Sequence, residues 1–389
     1  MTASNVPLSI LDLSPISEGS TGATALRNSV DLAQRAERWG YRRFWLAEHH
    51  FVAAASSRPA IVATEIAAAT STIHVGTGAV QLGQTTAVEV VETFAILASF
   101  HPGRIDLGVG RSSTRRRDTG RPPPPQTAPS WRKIDGVVIP PPFDPSALME
   151  SARIKTQGAA LIQPNAEPQA FADQVADIEA MLTGSYRPDG HELHVAAAED
   201  AGLTPWIFGS SKGESARVAG ERGLPFVASY HITPGTALDA VAVYRDHFRP
   251  SRHLERPYVV VSADVVVAED NETAQHLASS YGHWVYSIRS GAGAIPYPDP
   301  DRCAPLTDEQ RALVEDRTAT QLVGDPENVA QRLHDLQRFT DADELVITSV
   351  AYAHQDRLRS HELLAQRWGL SPGECSPKTM TRSGSVNFG

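Results

Sequence analysis

Short apolar strands alternate with amphipathic helices along most of this chain, and this alternation constrains the fold more than any other feature. The first 110 residues contain four predicted strands, at residues 6–13, 43–47, 73–82 and 104–109. The residues between them have the apolar spacing of helices, and Gly40 is placed as a helix stop. Strand–helix units repeated at this spacing predict parallel strands joined by right-handed crossovers.

Four further strands are predicted in the second half of the chain, at residues 205–209, 225–230, 258–267 and 344–350. Eight such units predict an α/β fold of the (β/α)8 TIM-barrel type. A doubly wound sheet tolerates the same number of strands but explains the uniform repeat less well.

The chain is longer than its barrel requires. Such barrels need about 250 residues, and this chain has 389. Proline runs break the rhythm after the fourth predicted strand, and a Gly- and Pro-rich segment at 291–305 breaks it after the seventh. We therefore expect one domain over residues 1–370, with an insertion or lid at 112–167 and a second insertion after strand 7. The polar residues 371–389 are expected to form a disordered tail.

Composition excludes several classes of partner. The net charge of −10 and the pI of about 5.8 disfavour a nucleic-acid partner, because an acidic surface repels phosphate backbones. Cys303 and Cys375 are far apart and give no disulfide framework or metal spacing. The N-terminus lacks the pattern of a signal peptide, and no apolar run reaches the roughly 18 residues of a membrane span. These features predict a cytoplasmic protein.

The residues that follow the predicted strands indicate where a ligand binds, because the reactive site of such a barrel lies at the C-terminal strand ends. Small residues follow the third and fourth strands, at Gly78-Ala79 and Gly108–Gly110, and Arg111 comes next. The Gly- and Ser-rich loop 209–213 leads into a predicted helix, whose N-terminus suits a phosphate. This set indicates a planar cofactor with a phosphate tail. The alternative, a barrel whose mouth binds no such cofactor, remains open. Gly108-x-Gly110 lacks the third glycine of a dinucleotide fingerprint.

The triplet Glu48-His49-His50 ends the second predicted strand. Neighbouring side chains on a strand point to opposite faces, so His49 and His50 are poorly placed to bind one metal ion together. Alternation favours His49 facing the ligand while Glu48 and His50 hold the strand end. The competing interpretation is that all three are ordinary buried polar groups in a hydrogen-bond network.

Three motifs in this order resemble the bacterial luciferase-like flavin-dependent monooxygenases, in particular the single-chain luciferase-like class oxidoreductases. They are the stretch from Tyr41 to His50, the stretch Ile73-His-Val-Gly-Thr-Gly-Ala79, and the stretch from Phe100 to Arg111. The similarity covers most of residues 6–370, apart from the insertion and the tail.

The resemblance implies a barrel that binds reduced FMN at the strand C-termini, with a separate reductase supplying the FMNH2. Oxygen then adds at flavin C4a, and the peroxyflavin oxygenates a small organic substrate. By the same resemblance His49 acts in acid–base steps, and a homodimer is implied. The cofactor-binding positions that it implies are Glu48, Gly78, Ala79, Gly110, Arg111, Ser210, Ser211, Ser215 and Ser229.

Two alternatives to this function follow from the same barrel. One is an F420-dependent hydride-transfer oxidoreductase, and the other is a non-catalytic flavin-binding relative. The chain also departs from close single-chain relatives, because residues 82–85 read Leu-Gly-Gln-Thr where those have Leu-Pro-Asn-His. That difference changes one wall of the pocket and disfavours a long-chain aldehyde substrate and light emission. We expect the excursion at 113–140 to act as a lid that excludes water.

Overall fold

A computed structural model describes residues 5–111, 130–164, 166–167, 169–211 and 213–371. Parallel strands in this part of the chain close into a barrel. The strands, in chain order, are β1 (Leu8–Asp12), β2 (Arg43–Leu46), β3 (His74–Thr77), β4 (Val80–Gln81), β5 (Ile105–Gly110), β6 (Arg132–Ile134), β7 (Val137–Ile139), β8 (Pro205–Gly209), β9 (Phe226–Ala228), β10 (Val259–Val267), β11 (Leu322–Gly324) and β12 (Glu344–Thr348).

The barrel has the strand order β1-β2-β3-β5-β8-β9-β10-β12, and β12 pairs with β1 to close it. Each of these eight strands overlaps one of the eight predicted strands, so the predicted (β/α)8 barrel is confirmed. The short strand β4 extends the line of β3 and pairs with the end of β5. Strand β11 lies outside the ring, where it pairs in parallel with the last residues of β10.

Helices surround this barrel and fill the two insertions. They are α1 (Gly22–Trp39), α2 (Pro59–Ala69), α3 (Ala87–Phe100), α4 (Ser146–Glu150), α5 (Ala152–Ala160), α6 (Phe171–Leu182), α7 (Ala196–Glu199), α8 (Glu214–Glu221), α9 (Ala237–His247), α10 (Asn271–Ala278), α11 (Tyr281–Arg289), α12 (Asp308–Thr320), α13 (Pro326–Thr340) and α14 (His354–Trp368). Local chemistry sets their ends. The Thr21 hydroxyl caps the start of α1, and Gly40 ends it with a φ of 88° that suits glycine.

Both predicted insertions are present. The first follows β5 and contains the antiparallel hairpin β6–β7 and helices α4 and α5. The second follows β10 and contains α11, α12 and β11, so it is larger than its Gly- and Pro-rich core suggested. Residues 112–129 of the predicted lid and residues 372–389 of the predicted tail lie outside the described residues. None of the helices described is long and apolar enough to cross a membrane.

The strands bury apolar residues on both faces, as parallel barrel strands do. Along β10, Val259 and Val261 pack outward in the core formed with the helices. Val260 points inward and packs with Trp45 and Trp206 in a second core inside the barrel. Since side chains alternate along a strand, Ser262 and Asp264 share the inward face of Val260.

Glycines make room for the large rings inside the barrel. The ring centroid of Trp45 lies 5.2 Å from that of Phe208 and 5.5 Å from that of Trp206. A side-chain carbon on Gly76 would lie 2.7 Å from the Trp45 ring, and one on Gly108 would lie 2.7 Å from the Phe208 ring. Aromatic side chains from a few strands therefore fill the barrel interior, and glycines on the facing strands leave room for them.

A buried charged network closes the N-terminal end of the barrel. Arg43 Nη1 donates to Asp106 over 2.6 Å, and Arg43 Nε donates to Glu344 over 3.3 Å. Glu344 also accepts hydrogen bonds from the hydroxyls of Ser9 and Tyr258. Burial opposes ionisation of Asp106, but Arg43 and His74 hold the pKa of this carboxyl below its usual range. The charges of Arg43, Asp106 and Glu344 are thus compensated by one another.

Candidate active site

The triplet Glu48-His49-His50 follows β2, in a segment without strand structure, and two of its side chains contact each other. Glu48 Oε1 lies 2.8 Å from His50 Nε2, and Glu48 Oε2 accepts a hydrogen bond from the Gln81 backbone over 3.2 Å. The Gln81 side chain in turn donates to the Glu48 carbonyl over 3.0 Å. Glu48 and His50 therefore tie the end of β2 to β4 and do not share an ion with His49.

His49 takes the opposite side and follows Trp45 and Ala47, which pack inside the barrel. Its backbone N–H donates to the Ser56 carbonyl over 3.0 Å. Its ring Nδ1 is buried and has no hydrogen-bond partner. Burial lowers the pKa of His49 to about 4, with Glu48 opposing the shift and His50 adding to it. The ring is therefore neutral at neutral pH, and it can accept or relay a proton.

Metal binding finds no support here. Across the described ranges, no group of three or more His, Cys, Asp and Glu side chains is arranged to hold a metal ion. Glu48 and His50 are already paired with each other, which leaves His49 alone on its side.

The small residues after β3 and β5 pack against each other and against the barrel interior. The peptide between Gly78 and Ala79 is cis. A side-chain carbon on Gly78 would lie 2.9 Å from the Phe208 ring and 3.0 Å from Leu11. One on Gly110 would lie 3.3 Å from the Ala79 side chain. Phe208 thus supports Gly78 from inside the barrel, and Ala79 and Gly110 form a small-residue surface at its mouth.

Arg111 lies at the N-terminus of α8, on the same rim. An Arg111 Nη1–Glu214 Oε2 contact of 3.4 Å joins it to the first residue of that helix. A side-chain carbon on Gly213 would lie 3.3 Å from Ser211 Oγ and 3.7 Å from Arg111 Nη2. No side chain of a described residue caps α8, and an uncapped helix N-terminus suits an anion.

The remaining predicted serines support this loop. Ser215 is buried in the first turn of α8, close behind Gly209. The Ser210 carbonyl accepts hydrogen bonds from the hydroxyls of Thr233 and Thr236, each over 2.6 Å. The buried Ser229 donates its backbone N–H to the Gly209 carbonyl over 2.9 Å. The structure therefore gathers Ser211 and Arg111 around an open helix end, whereas Ser210 and Ser229 contribute through the backbone bonds that shape the loop.

A second group of polar side chains at the barrel mouth was missed by sequence reasoning. His231 follows β9, and its Nδ1 lies 2.5 Å from the Ser262 hydroxyl on β10. Burial, with a smaller effect of the nearby charges of Arg317 and His49, lowers the pKa of His231 to about 3. His231 is therefore near both His49 and Arg317. The signal for this group was the Ser262-x-Asp264 pair within the otherwise apolar β10, both on one strand face.

Asp264 holds a buried ion pair with the second insertion. Arg317 Nη2 donates to Asp264 Oδ2 over 3.2 Å and to the Tyr281 hydroxyl over 2.6 Å, and Tyr281 donates to the same carboxylate. Burial raises the pKa of Asp264, with Arg317 and Tyr281 opposing the rise. Residues of α11 and α12 are thereby anchored to the C-terminal end of β10.

This fold is a (β/α)8 barrel with an anion-suited rim and a histidine of lowered pKa at its mouth, and comparison with known proteins gives its family. The family model for luciferase-like monooxygenases matches residues 6–126 and 161–342. The chain belongs to this family and is an oxidoreductase of the monooxygenase class.

Individual relatives agree with this assignment. The chain is 34% identical over 366 residues to the YvbT protein of Bacillus subtilis (strain 168), covering 93% of this chain and 96% of that one. It is 31% identical over 365 residues to the luciferase-like monooxygenase of Escherichia coli (strain K12), covering 93% and 97%. The crystal structure of apo-MsnO8 superimposes with a TM-score of 0.74 at 29% identity, covering 95% of this chain and 100% of that one.

More distant solved structures share the fold and differ in cofactor. One is the oxygenating constituent of 3,6-diketocamphane monooxygenase from Pseudomonas putida in complex with FMN, with a TM-score of 0.59, 16% identity, and 95% and 98% coverage. Another is the F420-dependent tetrahydromethanopterin reductase of Methanopyrus kandleri, with a TM-score of 0.57, 15% identity, and 94% and 98% coverage. The fold therefore accommodates either flavin-type cofactor.

Proposed function

We propose that this protein is a monooxygenase that uses reduced FMN and O2 to oxygenate a small organic substrate, with the FMNH2 supplied by a separate reductase. The observation that carries the proposal is the arrangement of Arg111 and Ser211 at the uncapped N-terminus of α8, on the same barrel rim as His49. The Arg111 guanidinium and the positive end of α8 both attract anions, and a terminal phosphate bound there would compete with the Glu214 carboxylate, which contacts Arg111 over 3.4 Å.

The chain's own residues divide the work as follows. Arg111, Ser211 and the first N–H groups of α8 hold the phosphate, with Ser210 and Ser215 shaping the loop. Ala79 and Gly110 form the small-residue surface against which a flat ring system packs, supported by Gly78 and Ser229. Glu48 fixes the end of β2 and so orients His49 beside the ring. Reduced FMN, when bound, supplies the electrons that activate O2.

His49 is proposed to move a proton at its unpartnered Nδ1. Its ring is neutral at neutral pH because burial disfavours the charged form. A neutral imidazole within a site that excludes water can accept a proton and return it without exchange with bulk solvent.

An F420-dependent hydride transfer is the second candidate function, favoured by the shared fold of the Methanopyrus kandleri reductase. A phosphate-bearing tail is common to both cofactors, so the α8 end does not separate them. Oxygen consumption distinguishes the two functions, because the FMNH2-dependent oxygenation consumes O2 and the F420-dependent hydride transfer does not.

The test is an anaerobic titration of the full chain with FMNH2 and with reduced F420, followed by addition of O2 and a mass-spectrometric screen for oxygenated products. We expect tight binding of FMNH2 and products that gain one oxygen atom. His49→Ala should still bind FMNH2 but lose coupled product, while the exposed-site control His191→Ala should behave as the parent. Binding of F420 alone, with no oxygenated product, would favour the alternative.

The first insertion is proposed to cover the site and exclude water. Its described residues contact several parts of the rim. Tyr230 donates to the Val138 carbonyl over 2.6 Å, Arg153 donates to the Phe51 carbonyl over 2.8 Å, and Phe143 lies 4.0 Å below the Arg289 guanidinium. Deleting residues 113–140 should raise the fraction of O2 released as hydrogen peroxide, and an unchanged fraction would reject the lid.

A homodimer is proposed through the outer faces of α2 and α3. These faces expose apolar side chains, with Ile61 68%, Ile96 56% and Phe100 74% accessible. Exposed apolar residues grouped on neighbouring helices favour association with a second copy. Light scattering should give twice the chain mass of 41.9 kDa, and the double variant I61E/F100E should give the monomer mass.

A further inference from the structure

A second polar subsite lies at the ends of β10 and β12, beyond the residues assigned to FMN. Asp264 of β10 and Thr348 of β12 are register partners on neighbouring strands, and both ends reach the barrel mouth. Ser262 and Asp264 share one strand face, and residues two apart on a strand are about 7 Å apart. Ser262 contacts His231 and Asp264 contacts Arg317, so this face runs from the neighbourhood of His49 to the second insertion.

Three polar atoms in this subsite lack a hydrogen-bond partner. They are the Tyr297 hydroxyl, the Thr348 hydroxyl and Arg317 Nε. Tyr297 is fully buried, Thr348 is 1% exposed and Arg317 is 8% exposed. Tyr297 is also close enough to Asp264 for that carboxylate to raise the pKa of its hydroxyl, although burial is the larger cause. Leaving such groups unpaired away from water is costly, which indicates that something other than the chain occupies this place.

We propose that the subsite formed by Asp264, Tyr297, Arg317 and Thr348 binds an uncharged hydrogen-bond acceptor of the substrate, a carbonyl or an amide. The inference rests on the proposed function, because it names the substrate class of that same site. Arg317 Nε is a donor only, and the two hydroxyls can each donate, so an acceptor oxygen with its two lone pairs suits these unpaired atoms.

Charge balance decides against an ionic substrate group. The positive charge of Arg317 is already opposed by the carboxylate of Asp264, and the two groups contact each other directly. A carboxylate added here would leave the cluster with one net negative charge, and an ammonium would leave it with one net positive charge. Burying an uncompensated charge is strongly unfavourable, whereas a carbonyl adds none.

The flank of the subsite is apolar, which defines the rest of the substrate. Trp284 lies between two tyrosines, with ring centroids 6.0 Å from Tyr281 and 6.2 Å from Tyr297. Leu306 and Val314 of the second insertion pack in the same core. A substrate with an apolar body and one neutral acceptor group therefore suits this wall.

The test compares four probes that share one ring: cyclohexyl methyl ketone, cyclohexanecarboxamide, cyclohexanecarboxylate and cyclohexylmethylammonium. Each is titrated into the FMN-loaded full chain by calorimetry, without reductant. We expect the ketone and the amide to bind and the two ions not to bind. Tyr297→Phe and Thr348→Val should each weaken the neutral probes about three- to tenfold, the value of one lost neutral hydrogen bond. Tyr186→Phe, on the distant loop after α6, is the matched control.

A readout without ligand separates this role from a structural one. Because the Tyr297 hydroxyl is buried without a partner, Tyr297→Phe should raise the Tm of the ligand-free protein while it weakens probe binding. Unchanged affinity for the neutral probes in both variants would overturn the proposal, as would tighter binding of the carboxylate or no binding of either neutral probe at 10 mM. If the probes bind as expected but no substrate is oxygenated, the proposed function fails and the subsite stands.

Discussion

At the scale of single residues, burial and the absence of a side chain decide what each position of the mouth can do. His49 is neutral because burial disfavours its charged form, and its Nδ1 remains free because Glu48 and His50 pair with each other. Arg111 Nη1 contacts Glu214 Oε2 over 3.4 Å at the first residue of α8. Gly108 is required for packing within the chain, because a side chain there would collide with the backbone of Thr77.

The residue-scale prediction for cofactor binding concerns Arg111. Arg111→Ala should weaken FMN binding by about ten- to a hundredfold, the effect of losing a charge-assisted hydrogen bond. Riboflavin has no phosphate, so its affinity should be unchanged. Fluorescence titration with both flavins measures this, and Arg187→Ala, which removes an exposed arginine far from α8, serves as control. Equal losses for FMN and riboflavin would contradict a phosphate contact.

The prediction for Gly108 concerns stability. A side-chain carbon there would lie 1.7 Å from the Thr77 carbonyl oxygen, so Gly108→Ala must displace backbone of the neighbouring strand. We expect the free energy of unfolding to fall by about 3 kcal/mol. The control is Gly22→Ala, at the start of α1, where the new carbon would be 3.7 Å from Ile16 and the effect should be below about 1 kcal/mol. Urea unfolding measures both, and equal values would refute the packing argument.

At the scale of elements, the two ends of the barrel treat polar groups differently. The N-terminal end pairs Arg43 with Asp106 and Glu344 and leaves their charges satisfied within the strands. The C-terminal end carries unpartnered atoms of His49, after β2, and of Thr348, on β12, the two strands that flank β1. The first arrangement stabilises the barrel, and the second leaves hydrogen-bonding capacity for a ligand.

The element-scale prediction tests the charged network at the N-terminal end of the barrel. Arg43→Ala removes the cation and leaves Asp106 and Glu344 buried without compensation, so the free energy of unfolding should fall by about 3–5 kcal/mol. The exposed pair of Arg217 with Glu221, 3.0 Å apart on α8, gives the control. Arg217→Ala should cost less than about 1 kcal/mol. If Arg43→Ala lowers the free energy of unfolding as little as the control does, this charged network does not stabilise the barrel.

At the scale of the whole molecule, the two insertions meet over the barrel mouth. Phe143 of the first insertion lies 4.0 Å from Arg289 at the end of α11, and Arg289 pairs with Asp316 of α12. Tyr297 of the second insertion reaches back to Ile16, whose carbonyl accepts its backbone N–H over 2.8 Å. The insertions therefore join the rim from β1 to β10.

The whole-molecule prediction concerns pH. Burial lowers the pKa of His49 to about 4 and of His231 and His361 to about 3, while an unfolded histidine titrates near about 6.5. The unfolded chain therefore binds protons that the folded chain does not, and stability present above about pH 6.5 is lost as pH falls. Each histidine should contribute about 1.4 kcal/mol per pH unit between pH 6 and 4.5.

His361 offers the variant that checks this prediction, because it packs on α14 against Tyr41, away from the mouth. His361→Phe should flatten the dependence of the free energy of unfolding on pH in this window, measured by urea unfolding at several pH values. His191→Phe, at an exposed position, should leave the slope as in the parent. An unchanged slope for His361→Phe would mean that this ring is protonated in the folded protein.

The sequence by itself determined the barrel, because each strand–helix unit carries its own periodicity and eight units of one kind have few ways to pack. Strand alternation also predicted that Glu48 and His50 share one side, and the structure places these two side chains in contact, although both follow the end of β2. Only the tertiary structure decided which distant side chains meet. Asp264, Tyr281 and Arg317 form one cluster because barrel closure and the folding of the second insertion bring them together, and no local pattern encodes that contact. The same reason applies to Gly108. This position must be glycine because the Thr77 backbone on the neighbouring strand leaves no room for a side chain.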